Sequence, residues 1–221
     1  LLPALVLLAE VVAALWPRPT ATPTTDPAAA HGPARMTIVV PAHDEEARIG
    51  ETVRGLRAEL GPGDRLLVVA DNCQDRTATL AREAGAEVIE RQNPSERGKG
   101  FAISFAVAHL AADPPDVVVL VDADCSLAGG RLAALAEFAL AKGTAAQADY
   151  LLTSVPGAVG LGPINAFAIL VRNRVRPLGL DLLARACQLT GSGMAFPWPL
   201  LASAPAMGGH LVEDMALGLE L

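Results

Sequence analysis

The chain has 221 residues, of which 52% are hydrophobic and 19% charged, and its formal net charge is −7. This composition is too apolar for a disordered chain, and the length is sufficient for one globular domain with a buried core. Nucleic-acid binding is disfavoured, because neutralising phosphates requires clustered Lys and Arg side chains. An anionic small ligand would need a metal ion or a few basic side chains as a local positive charge.

The first 34 residues differ from the rest of the chain. Residues 1–16 are apolar except for Glu10, and they end in Trp16. A helix that crosses a bilayer needs about 20 apolar residues, so we interpret this segment as a truncated transmembrane helix with an aromatic anchor at its end. A signal-peptide core or a soluble amphipathic helix is the alternative. Residues 17–34 contain five prolines and are predicted to form a linker.

From residue 35 onward, strand-like and helix-like segments alternate. This alternation predicts an α/β domain over residues 35–221 with a largely parallel, doubly wound sheet. The predicted strands are 37–41, 65–70, 86–90, 116–121, 145–153 and 188–196. The predicted helices are 45–60, 75–84, 98–112, 128–142, 160–183 and 212–221. Two helical faces are predicted to face the core, one with Ile49, Val53 and Leu56 and one with Phe101, Phe105 and Ala108.

Polar side chains follow three of the predicted strands, at residues 41–46, 71–75 and 122–124. Ligands of an open parallel sheet bind at the carboxyl ends of its strands. Acidic side chains that converge on one edge repel one another unless a cation or a donor-rich ligand joins them. The alternative is that they cap the following helices. Capping accounts for Asp44 or Asp75, but poorly for two aspartates on either side of one alanine.

The Asp122-Ala123-Asp124 motif is the most informative of these segments. Carboxylates are the ligands that Mg²⁺ and Mn²⁺ prefer, and Mg²⁺ is usually held by one or two of them together with substrate phosphates. The motif therefore predicts a site for a nucleotide diphosphate and a divalent cation. A nicotinamide-dependent oxidoreductase is disfavoured, because no G-x-G-x-x-G motif follows the first strand and no phosphate-loop lysine motif occurs.

Two later segments could also carry chemistry. Residues 97–100 precede a helix whose amino terminus favours anions, so Lys99 could contact a phosphate or a base; a solvated loop is the alternative. Glu213 and Asp214 open the last predicted helix, where acidic residues are favoured by the helix dipole alone. Their functional interpretation is a general base that takes the proton of an acceptor hydroxyl. His210 could be a base, a metal ligand or neither.

The three cysteines are Cys73, Cys125 and Cys187. Their number is odd, and their spacings match no zinc-binding motif. We interpret them as reduced thiols in a cytosolic compartment, and Cys125 as a small buried residue.

The order of these motifs resembles the inverting family-two glycosyltransferases of the GT-A fold. The resemblance runs from Met36 to Leu221. The motifs that carry it are Val39-Val40-Pro41-Ala42-His43-Asp44-Glu45-Glu46, Asp71-Asn72-Cys73-Gln74-Asp75-Arg76-Thr77, Gly98-Lys99-Gly100, Asp122-Ala123-Asp124, Gly191-Ser192-Gly193-Met194-Ala195 and Glu213-Asp214. The Gln-x-x-Arg-Trp motif of processive members does not occur in this sequence, and we expect the chain to be truncated within its last predicted helix.

The resemblance implies a Rossmann-like, mainly parallel sheet flanked by helices, and a role for each matching residue. The nucleotide-sugar site would contain Pro41, Ala42, His43, Glu45, Asp71, Lys99, Asp122 and Ala123. Of these, Asp71 would contact the base. Asp122 and Asp124 would bind the ribose and a diphosphate bridged by Mg²⁺ or Mn²⁺, with Asp124 the more direct metal ligand. Asp214, together with Glu213, would be the catalytic base.

The resemblance also implies the reaction. The expected enzyme moves a sugar with inversion from a nucleotide-diphosphate sugar, with UDP the family's usual carrier, to a saccharide or lipid-linked hydroxyl in cell-envelope glycan synthesis. It would act at the inner membrane, facing the cytoplasm, with membrane contact through terminal helices. One alternative is a sugar-phosphate nucleotidyltransferase, although the Gly- and Arg-rich first loop of those enzymes is absent. The other is a non-catalytic membrane scaffold, although the Asp pair and Glu-Asp are both present.

Overall fold

The computed structural model describes residues 2–17, 34–126, 131–152, 161–184 and 188–204. Within these ranges six strands form one sheet: β1 (Met36–Ala42), β2 (Arg65–Asp71), β3 (Glu87–Arg91), β4 (Val117–Leu120), β5 (Ala146–Gln147) and β6 (Met194–Pro197). The helices there are α1 (Leu2–Ala14), α2 (Ile49–Arg57), α3 (Thr77–Glu83), α4 (Lys99–Leu110), α5 (Leu132–Lys142), α6 (Leu161–Leu170), α7 (Arg176–Ala184) and α8 (Trp198–Ser203). A π-helical turn, Val171–Val175, joins α6 to α7.

The strand order is β3-β2-β1-β4-β6-β5. Strands β1 to β4 are parallel, while β6 runs antiparallel to both β4 and β5. β1, β2 and β4 are buried on both faces, as expected from their continuous apolar sequences. One face packs against α2, α3 and α5, and the other against α4 and α8. The predicted α/β fold with a mainly parallel sheet is confirmed.

One of the two predicted helix faces is correct and the other is wrong. Ile49, Val53 and Leu56 of α2 are fully buried, as predicted. On α4 the buried side chains are instead Ala102, Ile103, Ala106 and Leu110, whereas Phe105 is exposed. The small alanines let α4 lie close to the sheet, while Phe101 is half-buried beside Arg91.

Element bounds deviate most in the second half of the domain. The predicted strands 145–153 and 188–196 shrink to the two residues of β5 and the four of β6. Gly191 and Gly193 both have positive φ, 92° and 69°, so the chain turns sharply immediately before β6. The predicted helix 160–183 is confirmed as α6, the π-helical turn and α7, and the predicted helix 212–221 lies outside the described residues.

Helix α1 packs against α7. Its only charged residue, Glu10, is buried and accepts a hydrogen bond from Arg176 Nε, with 2.6 Å between Nε and Oε2. Glu10, whose charge is unfavourable in a membrane helix, is therefore paired with Arg176. No helix of the described ranges combines the length and apolarity needed to cross a membrane. The assignment of residues 1–16 to a membrane helix and of 17–34 to a linker stays a prediction.

The contact between α1 and α7 depends on Gly179. A Cβ atom added at this buried glycine would overlap the backbone carbonyl of Glu10. We expect Gly179→Ala to weaken the packing of α1 by about 1–3 kcal/mol, so that the α1 amides exchange faster with deuterium. Gly55→Ala is the matched control: Gly55 is an exposed position of α2 with nothing within 4 Å of an added Cβ. Unchanged α1 protection in the Gly179 variant would contradict this packing.

Candidate active site

The loops after β1 and β2 are joined by hydrogen bonds from backbone amides to side chains. Asp44 Oδ1 accepts from the amide of Gln74 at 2.7 Å, Thr77 Oγ1 from that of Glu45 at 2.7 Å, and Asp75 Oδ2 from that of Glu46 at 3.0 Å. These bonds hold residues 44–48 in turns, so α2 begins at Ile49 and not at Glu45 as predicted. Asp44 and Asp75 thus bind amides, which agrees in part with the capping alternative.

The same bonds set the charge state of Asp75. Partial burial would raise the pKa of its carboxyl, but hydrogen bonds from the Thr77 side chain and from the amides of Thr77 and Glu46 outweigh burial and leave the pKa below its usual range. A carboxylate that accepts several N–H and O–H bonds is stabilised in its charged form. Asp75 therefore stabilises the two loops as an anion.

A cavity of about 190 Å³ opens beside these loops, at the carboxyl ends of β1 and β2. It is lined by Pro41, Ala42, His43, Asp71, Asn72, Arg97, Gly98 and Lys99. Five of the residues predicted to bind a nucleotide sugar therefore line one cavity. Glu45 is not among the lining residues, and its amide donates to Thr77 Oγ1; Asp122 is linked to the cavity through Lys99.

Arg91 holds Asp71, a residue that lines this cavity, and was not predicted. Its guanidinium donates to Asp71 Oδ1 at 2.8 Å and to Glu96 Oε2 at 2.6 Å, and it lies 5.3 Å from the centre of the Phe101 ring. Asn72 Nδ2 also donates to Asp71 Oδ1, at 3.2 Å. Its position in the sequence could have indicated this role. Arg91 is the last residue of β3, and ligands bind at the carboxyl ends of the strands.

Lys99, the first residue of α4, connects three parts of the site. Its Nζ donates to Asp122 Oδ1 and to the carbonyl oxygen of Gly191. The Asp122 amide in turn donates to Ser192 Oγ at 3.0 Å. The solvated-loop alternative is therefore wrong for Lys99, whose side chain is only 21% exposed. This lysine places a positive charge between the cavity and the Asp pair.

Asp122 and Asp124 lie on either side of an anchored alanine. Ala123 is buried in the core, and its carbonyl oxygen accepts a hydrogen bond from Thr52 Oγ1 at 2.6 Å. One carboxylate oxygen of each aspartate and Cys125 Sγ lie within 4.8 Å of one another. Two carboxylates at this separation suit a hard divalent cation that completes its shell with substrate oxygens. Asp122 and Asp124 are thus the residues that would hold Mg²⁺ or Mn²⁺.

Cys125 is a poor ligand for such a cation. Burial raises the pKa of its thiol, the charges of Asp122 and Asp124 raise it further, and Ser192 Oγ lies 3.2 Å from Sγ. It is half-buried, in partial agreement with its predicted structural role. Glu213, Asp214 and His210 lie outside the described residues, so their proposed roles stay predictions.

Tyr150, the only tyrosine of the chain, lies near the Asp pair and was also missed. Burial, followed by the negative charges of Cys125, Asp124 and Asp122, raises its pKa to about 12. The neutral phenol is therefore favoured in the folded state. Below the unfolded pKa of about 10, Tyr150 is neutral in both states and does not change the stability. As the pH rises from there towards 12, only the unfolded chain ionises, so the fold loses stability.

Because Tyr150 is unique, the ultraviolet absorbance of phenolate reports its ionisation directly. We expect a midpoint near pH 12 in the folded chain and near 10 in guanidinium. Asp124→Asn should lower the folded midpoint, because it removes one of the nearby negative charges. A folded midpoint close to the unfolded one would show that Tyr150 is neither buried nor near the carboxylates.

Comparison with known proteins places this site in a family. The sequence profile of glycosyl transferase family 2 matches residues 37–153, more than half of the chain. The chain belongs to glycosyl transferase family 2. The match covers the cavity, the Asp122–Asp124 pair and Tyr150.

Curated relatives match over the same region. An uncharacterized glycosyltransferase of Mycobacterium bovis is 38% identical over 97 residues, which are 44% of this chain and 40% of the relative. Glucosyl-3-phosphoglycerate synthase of Mycolicibacterium smegmatis is 33% identical over 115 residues, 49% of this chain and 37% of the relative. The chain thus spans about two fifths of the length of these relatives.

Solved structures share the fold. Glucosyl-3-phosphoglycerate synthase from Mycobacterium tuberculosis, in complex with Mn²⁺, UDP and phosphoglyceric acid, is 27% identical with a TM-score of 0.54, over 82% of this chain and 62% of that one. A mannosyltransferase from Pyrobaculum calidifontis, in complex with GDP-Man and Mn²⁺, gives a TM-score of 0.58 at 20% identity, over 92% and 55% of the two chains. The latter likeness concerns the fold alone. The GT-A fold implied by the sequence motifs is confirmed.

Proposed function

We propose that this chain catalyses metal-dependent, inverting transfer of a sugar from a UDP-sugar to a hydroxyl acceptor. The observation that carries the proposal is the arrangement of Asp122 and Asp124 at the end of β4, next to a cavity that contains Asp71 and Lys99. The relatives that bind UDP with Mn²⁺ or Mg²⁺ support the choice of donor and cation.

The choice of uracil rests on Asp71. Arg91 and Asn72 both donate to its Oδ1, which fixes the carboxylate and leaves Oδ2 for a ligand. A carboxylate accepts hydrogen bonds and cannot donate them. Uracil and guanine carry a ring N–H that complements Asp71, whereas cytosine and adenine present a ring acceptor at the equivalent position. Relatives solved with UDP favour uracil of this pair.

Three residues of the chain would then have separate roles in the reaction. Asp71 orients the base, Lys99 supplies positive charge next to Asp122, and Asp214 takes the proton of the acceptor hydroxyl as the new bond forms. A divalent cation bound by Asp122 and Asp124 would stabilise the negative charge that develops on the departing diphosphate. Attack from the face opposite the leaving group inverts the anomeric carbon.

Hydrolysis of the donor tests this proposal without knowledge of the acceptor, because water can replace the hydroxyl. We expect the 221-residue chain to release UDP from UDP-glucose with Mn²⁺ and not with EDTA, and NMR to show β-glucose as the first product. Release of α-glucose would contradict inversion. Formation of UDP-glucose from UTP and glucose-1-phosphate, without donor hydrolysis, would indicate the nucleotidyltransferase alternative.

The proposal includes action at the cytoplasmic face of the inner membrane. Its support is a set of exposed apolar side chains on α1 and α6 and just after α1, among them Leu8, Ile164, Phe167 and Trp16. Aromatic and aliphatic side chains of this kind bind lipid interfaces. Sedimentation with phosphatidylglycerol vesicles tests it: chain that stays in the supernatant would contradict membrane association.

A further inference from the structure

A second cluster of metal-binding side chains lies across the two loops after β1 and β2. It consists of His43, Asp44 and Cys73, whose ligand atoms lie within 4.8 Å of one another. His43 Nε2 is 3.8 Å from Asp44 Oδ2. The cysteine spacings match no zinc motif, because the third ligand comes from a loop 29 residues further along the chain. Only the parallel pairing of β1 with β2 brings the three residues together.

The hydrogen bonds around this cluster leave one ligand atom free on both His43 and Asp44. His43 Nδ1 lies 2.7 Å from the carbonyl oxygen of Asp71. A carbonyl only accepts, so Nδ1 is the protonated nitrogen in the neutral ring, and Nε2 is then the nitrogen with the lone pair. Metal-bound histidines are usually oriented by such a bond. Asp44 Oδ1 accepts from the Gln74 amide, which leaves Oδ2 on the side of His43.

We propose that His43 Nε2, Asp44 Oδ2 and Cys73 Sγ form a binding site for Zn²⁺, separate from the Asp122–Asp124 pair. Imidazole and thiolate are ligands of zinc, whereas Mg²⁺ prefers oxygen ligands alone. Tetrahedral zinc with bonds of about 2.0–2.3 Å needs ligand atoms about 3.3–3.8 Å apart. The cluster reaches this spacing by a closure of about 1 Å, which the exposed side chains of His43 and Asp44 permit.

Binding converts the Cys73 thiol into a zinc-bound thiolate and releases one proton to solvent. Solvent occupies the fourth position, since His43 and Asp44 are exposed. The ion would join the two loops that line the nucleotide cavity through His43, Asp71 and Asn72. Zinc therefore raises the midpoint of thermal unfolding by a few degrees in the absence of any nucleotide.

Cobalt substitution tests the site, because a thiolate bound to Co²⁺ gives a near-ultraviolet charge-transfer band. The 221-residue chain, in excess Mg²⁺, should show this band at one equivalent of Co²⁺ and lose it on addition of Zn²⁺. The control is C125S/C187S, in which Cys73 is the only thiol and the band should persist. Cys73→Ser should abolish it. No band in the unmodified chain, or loss of the band in C125S/C187S, would overturn the proposal.

A second variant tests the site even if Cys73→Ser does not fold. His43→Gln changes an exposed side chain, and it should weaken Zn²⁺ binding about tenfold or more in competition with a chromophoric chelator. An unchanged dissociation constant would overturn the site. Neither measurement uses a sugar donor, so failure here is independent of the proposed glycosyl transfer.

Discussion

Asp124→Asn should lower the rate of donor hydrolysis by about a hundredfold or more, with little change in stability. The amide keeps the shape of the side chain but removes the negative charge that would hold a divalent cation. Stabilisation of the leaving diphosphate by that cation is worth several kcal/mol. Asp124 is exposed and lies outside the core, so the fold does not depend on it. The measurement is UDP release at saturating Mn²⁺.

Asp113→Asn makes the same chemical change at the opposite edge of the sheet and is the matched control. Asp113 is 65% exposed and pairs with Arg35 and Arg65, before β1 and at the start of β2. Exposed ion pairs contribute about 0–1 kcal/mol, so this variant should keep its activity. Equal activity of the Asp124 and Asp113 variants would show that Asp124 is not a ligand of the catalytic metal.

Asp214→Asn should reduce transfer by about 10²–10⁴-fold while leaving binding of UDP unchanged. An amide cannot accept the proton of the acceptor hydroxyl, so the loss concerns kcat and not the affinity for the donor. The measurement combines turnover with titration of UDP and Mn²⁺ followed by calorimetry. This prediction rests on the sequence motif alone.

Glu213→Gln separates the two acidic neighbours, because Glu213 is expected to assist and not to take the proton. It should retain more activity than Asp214→Asn. Lower activity of Glu213→Gln than of Asp214→Asn would indicate that Glu213 is the base. Loss of UDP affinity in the Asp214 variant would place this residue in the donor site.

The central part of the fold was predictable because its signals are local. The strands that became β1, β2 and β4 are continuous apolar runs that end in polar residues, and a strand buried on both faces requires such a run. The strand predicted over 188–196 was overestimated because Gly191 and Gly193 turn the chain before β6 through backbone dihedrals that apolar patterning does not reveal. The inner face of α4 was missed because two alanines, together with Ile103 and Leu110, pack on the sheet in place of the larger phenylalanines.

The candidate site was predictable to the extent that position along a strand determines it. Pro41 and Asp71 lie within the last two residues of β1 and β2, and Asp122 follows β4 by two residues, so the topology alone brings them to one edge. Arg91 and Tyr150 were missed because their roles depend on neighbours distant in sequence: Arg91 bonds to Asp71, and the pKa of Tyr150 responds to Asp122 and Asp124.

Thermal unfolding of the chain with UDP or CDP, each with and without Mn²⁺, tests the central claim most directly. These nucleotides differ in the part of the base that would face Asp71 in the proposed site, and they share the diphosphate that would face Asp122 and Asp124. A ligand at 100 times its dissociation constant stabilises a fold by about 2.7 kcal/mol, which shifts the midpoint by a few degrees. We predict such a shift for UDP with Mn²⁺ and a smaller one for CDP. Equal shifts, or a UDP shift that does not require the metal, would contradict the proposed site.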